Sequence, residues 1–250
     1  MTLEQIKIIL KTTRNFIGKD LRNMDLSHLE MKNSKMTTTD FRGANLTGAN
    51  LSGADLRGAN LMDANLTRAS LLGANLHRAL LKGVCLVEAS LIGAKFEETN
   101  LSGANMEKAD LSRTDFTGTN LEGANLKEAY MRGASLRGVN MNEVNLSGAN
   151  ISEANLRWAS LVQANLSGAN MTGTNLNHAD LTQANVSGAN LRWGSLRGTV
   201  LVKTNLKNAD LREVDLCEAN LDEANLTGAD ITDAKNIEDA KNIEKARGLS

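Results

Sequence analysis

The stretch Ala44-Asn45-Leu46-Thr47-Gly48-Ala49-Asn50-Leu51-Ser52-Gly53-Ala54-Asp55-Leu56-Arg57-Gly58 states one five-residue unit three times over. A large apolar residue recurs at every fifth position from Phe41 to Ile231 without an insertion, and a small residue, most often Ala, precedes each by two. A period of five suits neither an α-helix nor a long strand, because on either one the leucines would rotate through every face and half would meet water. The chain must therefore turn once per unit. Within a unit the small residue, the polar residue and Leu point in, out and in, as in a very short strand, and the two residues that follow carry turn chemistry.

With the large residue called i, position i+2 is Gly in only about two-fifths of the units and is elsewhere Arg68, Glu88, Trp158 or His178. The expected corner is therefore type I-like, which asks for no positive φ. Strands this short, each turning in the same sense, wind into coils whose backbone groups pair with the coils above and below. Ala and Leu then stack along one dry, narrow axis.

The pattern A(D/N)LXX, as in Ala49-Asn50-Leu51-Ser52-Gly53 and Ala54-Asp55-Leu56-Arg57-Gly58, resembles that of the pentapeptide repeat proteins and runs from Leu21 to Ile231. The resemblance implies an all-β solenoid, a right-handed quadrilateral β-helix with four pentapeptides per coil. It also implies a specific alternative role. Some members bind type II topoisomerases such as gyrase by mimicking duplex DNA and so protect against quinolones. That mimicry depends on a markedly negative surface, which a formal net charge of -1 does not supply.

The repeat divides the chain into an N-terminal helical cap over residues 1–15, one β-helix over 16–232 and a C-terminal helical cap over 233–250. Thr2 with Gln5 forms a capping-box signature, and Leu3, Ile6, Ile9 and Leu10 make one apolar stripe, so Thr2 to about Thr13 is predicted to be a helix lying over the first coil. Met24, Leu29, Met31 and Met36 are the larger, adaptable fillers that a coil mated to a helix needs. After Ile231 the register fails, and Ile237, Ala240, Ile243, Ala246 and Leu249 follow at spacing three, which favours helix or 3₁₀ over coil. Such ends would cover strand edges that otherwise invite end-to-end pairing.

Balanced charge, 28 Lys and Arg against 29 Asp and Glu, argues against a general polyanion binder. Cys85 and Cys217 lie far apart along the stack and cannot pair within one chain. Without a basic-then-apolar leader or an apolar run near 20 residues, the expected location is the cytoplasm, with no membrane attachment. His28, His77 and His178 fall in different coils and neither cluster for a metal nor sit beside a nucleophile. The chain reads as non-enzymatic, with no cofactor; monomer and dimer both remain open.

If a coil holds 20 residues, outward positions sort into four faces. One carries Asn45, Asn65, Cys85, Asn105, Asn125, Asn145, Asn165, Asn185, Asn205 and Asn225, amides that can bond to one another along the axis and stiffen the stack. A second feature is a candidate apolar patch of Met62, Leu72, Leu80, Val87 and Ile92, where polar residues are the rule. A third is a candidate protein-binding face in the C-terminal half, with Arg137, Arg157 and Arg197 on one edge and Arg132, Arg192 and Arg212 on the other. Trp158 and Trp193 sit among them, and Ser135, Asn155, Asn175 and Ser195 lie between. Arg with Trp is a favoured pairing at contact surfaces, and the face would prefer an acidic protein to nucleic acid. Glu153, Glu213 and Glu218 share its edges. The leading functional reading is a rigid protein–protein interaction or scaffold module, on a rod of the order of 50 Å.

Overall fold

The computed structural model describes residues 1–248, so Leu249 of the C-terminal apolar series lies outside the described residues. Parallel backbone bridges join each outward polar residue to the one twenty positions later, from Asn15 with Lys35 through Asn45 with Asn65 to Asp215 with Lys235. Four pentapeptides therefore make one coil. Within a unit, Leu46 N–H donates to the Asn65 carbonyl (2.7 Å), Gly48 N–H to Thr67 (2.8 Å) and Asn65 N–H to Ala44 (2.9 Å). Ala49 N–H closes the corner on Leu46 (3.0 Å). Nearly every backbone donor is used, which accounts for the absence of Pro from the chain.

The axis is filled as the sequence predicts: Leu46, Leu51, Leu56 and Leu126 are fully buried, as are Ala44, Ala49 and Ala124. Where Thr replaces Ala the hydroxyl is buried too, and Thr39, Thr199 and Thr204 donate to the Phe16, Leu176 and Leu181 carbonyls at 2.7, 2.8 and 2.7 Å. These three buried threonine hydroxyls keep a partner, whereas the Ser34 hydroxyl, buried in the same kind of slot, has none.

The corners differ from expectation. Every i+2 residue, whether Gly48 (φ 63°) or Glu143 (57°), Trp158 (60°), His178 (59°) and Trp193 (62°), lies in the left-handed region. Positive φ at the third residue of a four-residue turn is the type II pattern, not type I. The ladder forces it: the i+2 N–H must point along the stack to reach the next coil, as Trp158 does to Asn177 (3.0 Å). Each non-Gly corner accepts a conformational cost to make that bond.

The ladder is less tight around Phe96 and Phe116. Among the described residues, the bonds that the register would draw from the corner amides of Gly93, Glu98 and Gly118 are not formed, while the bridges Leu80–Asn100 and Lys95–Asp115 are kept. Here Phe96 and Phe116 stack nearly parallel with ring centroids 5.4 Å apart, and Thr99, Thr114 and Thr119 occupy slots that Ala fills elsewhere. The ring separation is a little wider than the ~4.8 Å strand spacing, and the three threonines are larger than the Ala they replace.

Helix α1 spans Leu3–Lys11, with Thr2 as its N-cap and the reciprocal capping box present. Ile6 and Leu10 are buried against the stack, whereas Leu3 of the predicted stripe is exposed. At the other end the chain makes two single-turn 3₁₀ helices, Ile237–Asp239 and Ile243–Lys245. Between and after them Lys241 bridges Asn220 and Arg247 bridges Asn225, so this segment continues the coil with longer corners instead of laying a helix across it. Its repeat has lengthened from five to six: Ala234-Lys235-Asn236-Ile237-Glu238-Asp239 is followed by Ala240-Lys241-Asn242-Ile243-Glu244-Lys245. None of the helices is long and apolar enough to cross a membrane.

Candidate interaction surfaces

The amide face is a bonded column. Asn125 donates through Nδ2 to Asn105 Oδ1 (3.0 Å), Asn145 to Asn125 (3.1 Å) and Asn205 to Asn185 (3.0 Å). Each amide oxygen also accepts from the N–H two residues ahead, as in Ser147 to Asn145 (3.1 Å), so one side chain stabilises both its own corner and the stack.

The five apolar candidates separate. Leu72 and Ile92 stand in register on consecutive coils, where Gly73 N–H bonds to the Ile92 carbonyl (3.0 Å). Met62 and Leu80 adjoin on a different side, through Leu61 N–H to the Leu80 carbonyl (2.8 Å), and Val87 belongs to a third side. Leu72, Leu80 and Ile92 are exposed, while Met62 and Val87 are half-buried. One exposed pair, Leu72 with Ile92, and a single exposed Leu80 beside half-buried Met62 are a smaller feature than one patch.

On the basic face the structure divides the arginines by their partners. Arg132 makes a two-pronged bond to Glu153 (2.8 and 3.3 Å), and Arg192 does the same to Glu213 (2.7 and 3.3 Å) while lying 4.3 Å over the Trp193 ring. Arg197 reaches Asp215 (2.9 Å), and Arg212 is held by Asp210 (2.6 Å). The fork from Arg212 holds the Asp210 carboxyl below the usual carboxylate range, and Arg192 does the same to Glu213.

Arg137 and Arg157 differ from all of these, since neither forms an ion pair among the described residues. Both guanidiniums lie over the Trp158 ring, at 4.6 and 3.9 Å from its centroid, and His178 stacks against that indole at 6.1 Å with a 17° tilt. The column repeats the register, because residues 158, 178 and 198 share one corner on consecutive coils. Its last member, Gly198, leaves room for the imidazole: a Cβ there would come within 2.6 Å of His178 Nδ1. The sequence placed both Trp residues on the flanking corners but did not reveal which arginines stay unpaired. The i to i+21 spacing of Arg132 with Glu153 and Arg192 with Glu213 was the available signal.

No group of three metal-ligating side chains is present among the described residues. A comparison with curated protein sequences finds no match. A family model described as pentapeptide repeats matches residues 14–43, 44–83, 85–123, 124–163, 159–198 and 199–235. Among solved structures, HetL from the cyanobacterium Nostoc sp. strain PCC 7120, a pentapeptide repeat protein involved in heterocyst differentiation regulation, is 32% identical over 99% of this chain and 97% of its own, with a TM-score of 0.43. The pentapeptide repeat protein alr5209, also from Nostoc PCC 7120, is 31% identical over 48% of this chain and 96% of its own (TM-score 0.29). QnrB1, a plasmid-mediated fluoroquinolone resistance protein, is 17% identical over 86% of this chain and 84% of its own (TM-score 0.29). With its five-residue period, its twenty-residue coils and a family match across nearly the whole repeat, the chain belongs to the pentapeptide repeat family.

Proposed function

We propose that this chain is a non-enzymatic protein-binding module: a right-handed quadrilateral β-helix, covered at one end by α1 and finished at the other by coils with 3₁₀ corners, whose rigid faces hold another protein in the cytoplasm. The principal recognition surface is the face flanked by Trp158 and Trp193, and its partner is an acidic protein. One observation carries the reading. Most arginines of this face are neutralised by an acidic neighbour, yet Arg137 and Arg157 are stacked on Trp158 and left without a carboxylate. An anchored aromatic with fixed guanidinium forks has the composition of an interface hot spot, and ordering the forks in advance lowers the entropy lost on binding.

The test replaces Arg157, Trp158 and Trp193 together with Ala, checks that the melting temperature is unchanged, and measures capture of partner from the native cell. Loss of capture is expected. If capture survives while Leu72→Ser with Ile92→Ser abolishes it, the recognition surface is the exposed apolar pair and the reading is wrong.

A further inference from the structure

Beside the Trp158 column lies a cleft of about 240 Å³ lined by Arg157, Asn177, His178, Arg197, Gly198, Cys217 and Glu218. Its chemistry is one-sided. Arg157 Nε is buried and has no hydrogen-bond partner, so this cation has already lost part of its hydration without gaining an acceptor. Asn177 spends its oxygen on Ser195 Oγ (2.6 Å) and the Arg197 backbone N–H (3.0 Å), which leaves its amide N–H groups to donate. The His178 ring lies flat over Gly198, stacked on Trp158. The nearby carboxylates are engaged elsewhere: Asp215 accepts from Arg197 and from Asn236 (2.8 Å), and Glu218 is drawn towards Lys241 (3.8 Å).

We infer that this corner cleft is a carboxylate pocket, in which an Asp or Glu side chain of an extended partner segment is bound by the Arg157 guanidinium, with Asn177 and Arg197 as further donors. The inference rests on the functional reading above and gives it a chemical address. The Arg157 Cζ lies 3.9 Å from the Trp158 ring centroid, and this cation–π contact anchors a guanidinium whose planar fork suits a carboxylate. A guanidinium that has already shed water at Nε gives up less hydration when an anion arrives. Glu218, which lines the cleft, disfavours highly charged guests, because a phosphoryl dianion would meet about twice the like-charge repulsion that a single carboxylate does. Stacked on His178 and the two arginines, Trp158 acts as a positioning residue, and it reports occupancy because its indole N–H is directly observable.

The experiment titrates the full chain, uniformly ¹⁵N-labelled, with acetyl-Gly-Glu-Gly-Glu-Gly-amide, with its Gln counterpart, and with inorganic phosphate, following the Trp158 indole and Arg157 Nε–H signals. The expected result is a saturable shift with the Glu peptide and none with the Gln peptide. Arg157→Gln should weaken binding at least tenfold, whereas Arg68→Gln, outside this face with its guanidinium already bonded to Glu88 (2.7 Å), should leave it within twofold. No saturable shift, an equal response to the Gln peptide, tighter binding of phosphate, or an unaffected Arg157→Gln variant would each overturn the pocket. A failed pocket with capture still lost in the triple Ala variant would leave the broader face standing, so the two readings fail separately.

Discussion

Gly168 isolates the energetics of the corner. Its φ is +64°, and a Cβ built on it would meet nothing within 4 Å, so a substitution there is judged by backbone conformation alone. For an L residue the left-handed region costs about 1–2 kcal/mol, least for Asn and most for a β-branched side chain. Removing Gly restricts the unfolded chain and returns about 0.4–1 kcal/mol. Gly168→Asn should therefore be close to neutral, Gly168→Ala should cost about 1 kcal/mol, and Gly168→Val about 2 kcal/mol or more. In a chain of this size 1 kcal/mol corresponds to roughly 2–4 °C in melting temperature, so the series is resolvable by calorimetry, backed by urea denaturation of the same variants. Were the corner type I, with negative φ, all three would fall within about 0.5 kcal/mol of one another. Equal melting temperatures for the Asn and Val variants would therefore refute the positive-φ assignment.

In the axis, Leu126→Ala should cost about 2–5 kcal/mol by opening a cavity, while Ser147→Glu on the amide face should stay within about 0.5 kcal/mol; equal shifts would contradict the assigned facing. Side-chain hydrogen bonds from Arg22, Arg42, Arg57 and Arg212 hold Asp20, Asp40, Asp55 and Asp210 below their ordinary values in the folded chain. The stability they confer is complete above the unfolded carboxylate range near pH 4 and is lost as pH falls through the lower folded values. Urea midpoints should fall below pH 4, and Arg57→Gln should flatten that fall; an unchanged profile would count against the pairing. Removing residues 233–250 takes away the bridges from Lys235, Lys241 and Arg247 and uncovers strand edges. The shortened chain should self-associate, and light scattering that gives an unchanged mass at high concentration would argue against a covering role.

Much of the architecture was legible because the side-chain period of five and the backbone register of twenty are the same fact seen at two scales. Leu126 and Ala124 could be placed inward from spacing alone. The corner could not, because residue type at i+2 was read as a preference for φ, whereas the Glu143 and Trp158 backbones are set by the need of their N–H groups to reach the next coil. In the C-terminal segment, spacing three in Ile237, Ala240 and Ile243 pointed to helix or 3₁₀, and the two 3₁₀ turns are there, but that spacing is also half of a six-residue unit, which is why the segment continues the coil. For the basic face, numbering gave the edges, but the division between Arg157 and Arg132 depends on rotamers. An extended Arg can lie across an indole or reach a Glu on the next coil, and no periodicity decides between them.

The absent corner bonds of Gly93, Glu98 and Gly118, beside Phe96 and Phe116, have a kinetic meaning. In a linear stack each coil contacts only its two neighbours, so unfolding travels along the axis and stops where the neighbour term is strong. The coils at Phe96 and Phe116 are the expected weak link between the length starting at α1 and the length carrying the Trp158 column. The amides of Gly93, Glu98 and Gly118 should then exchange with solvent faster than those of Leu121 or Leu146. Denaturation is expected to pass through two melting events, with the recognition surface surviving the first.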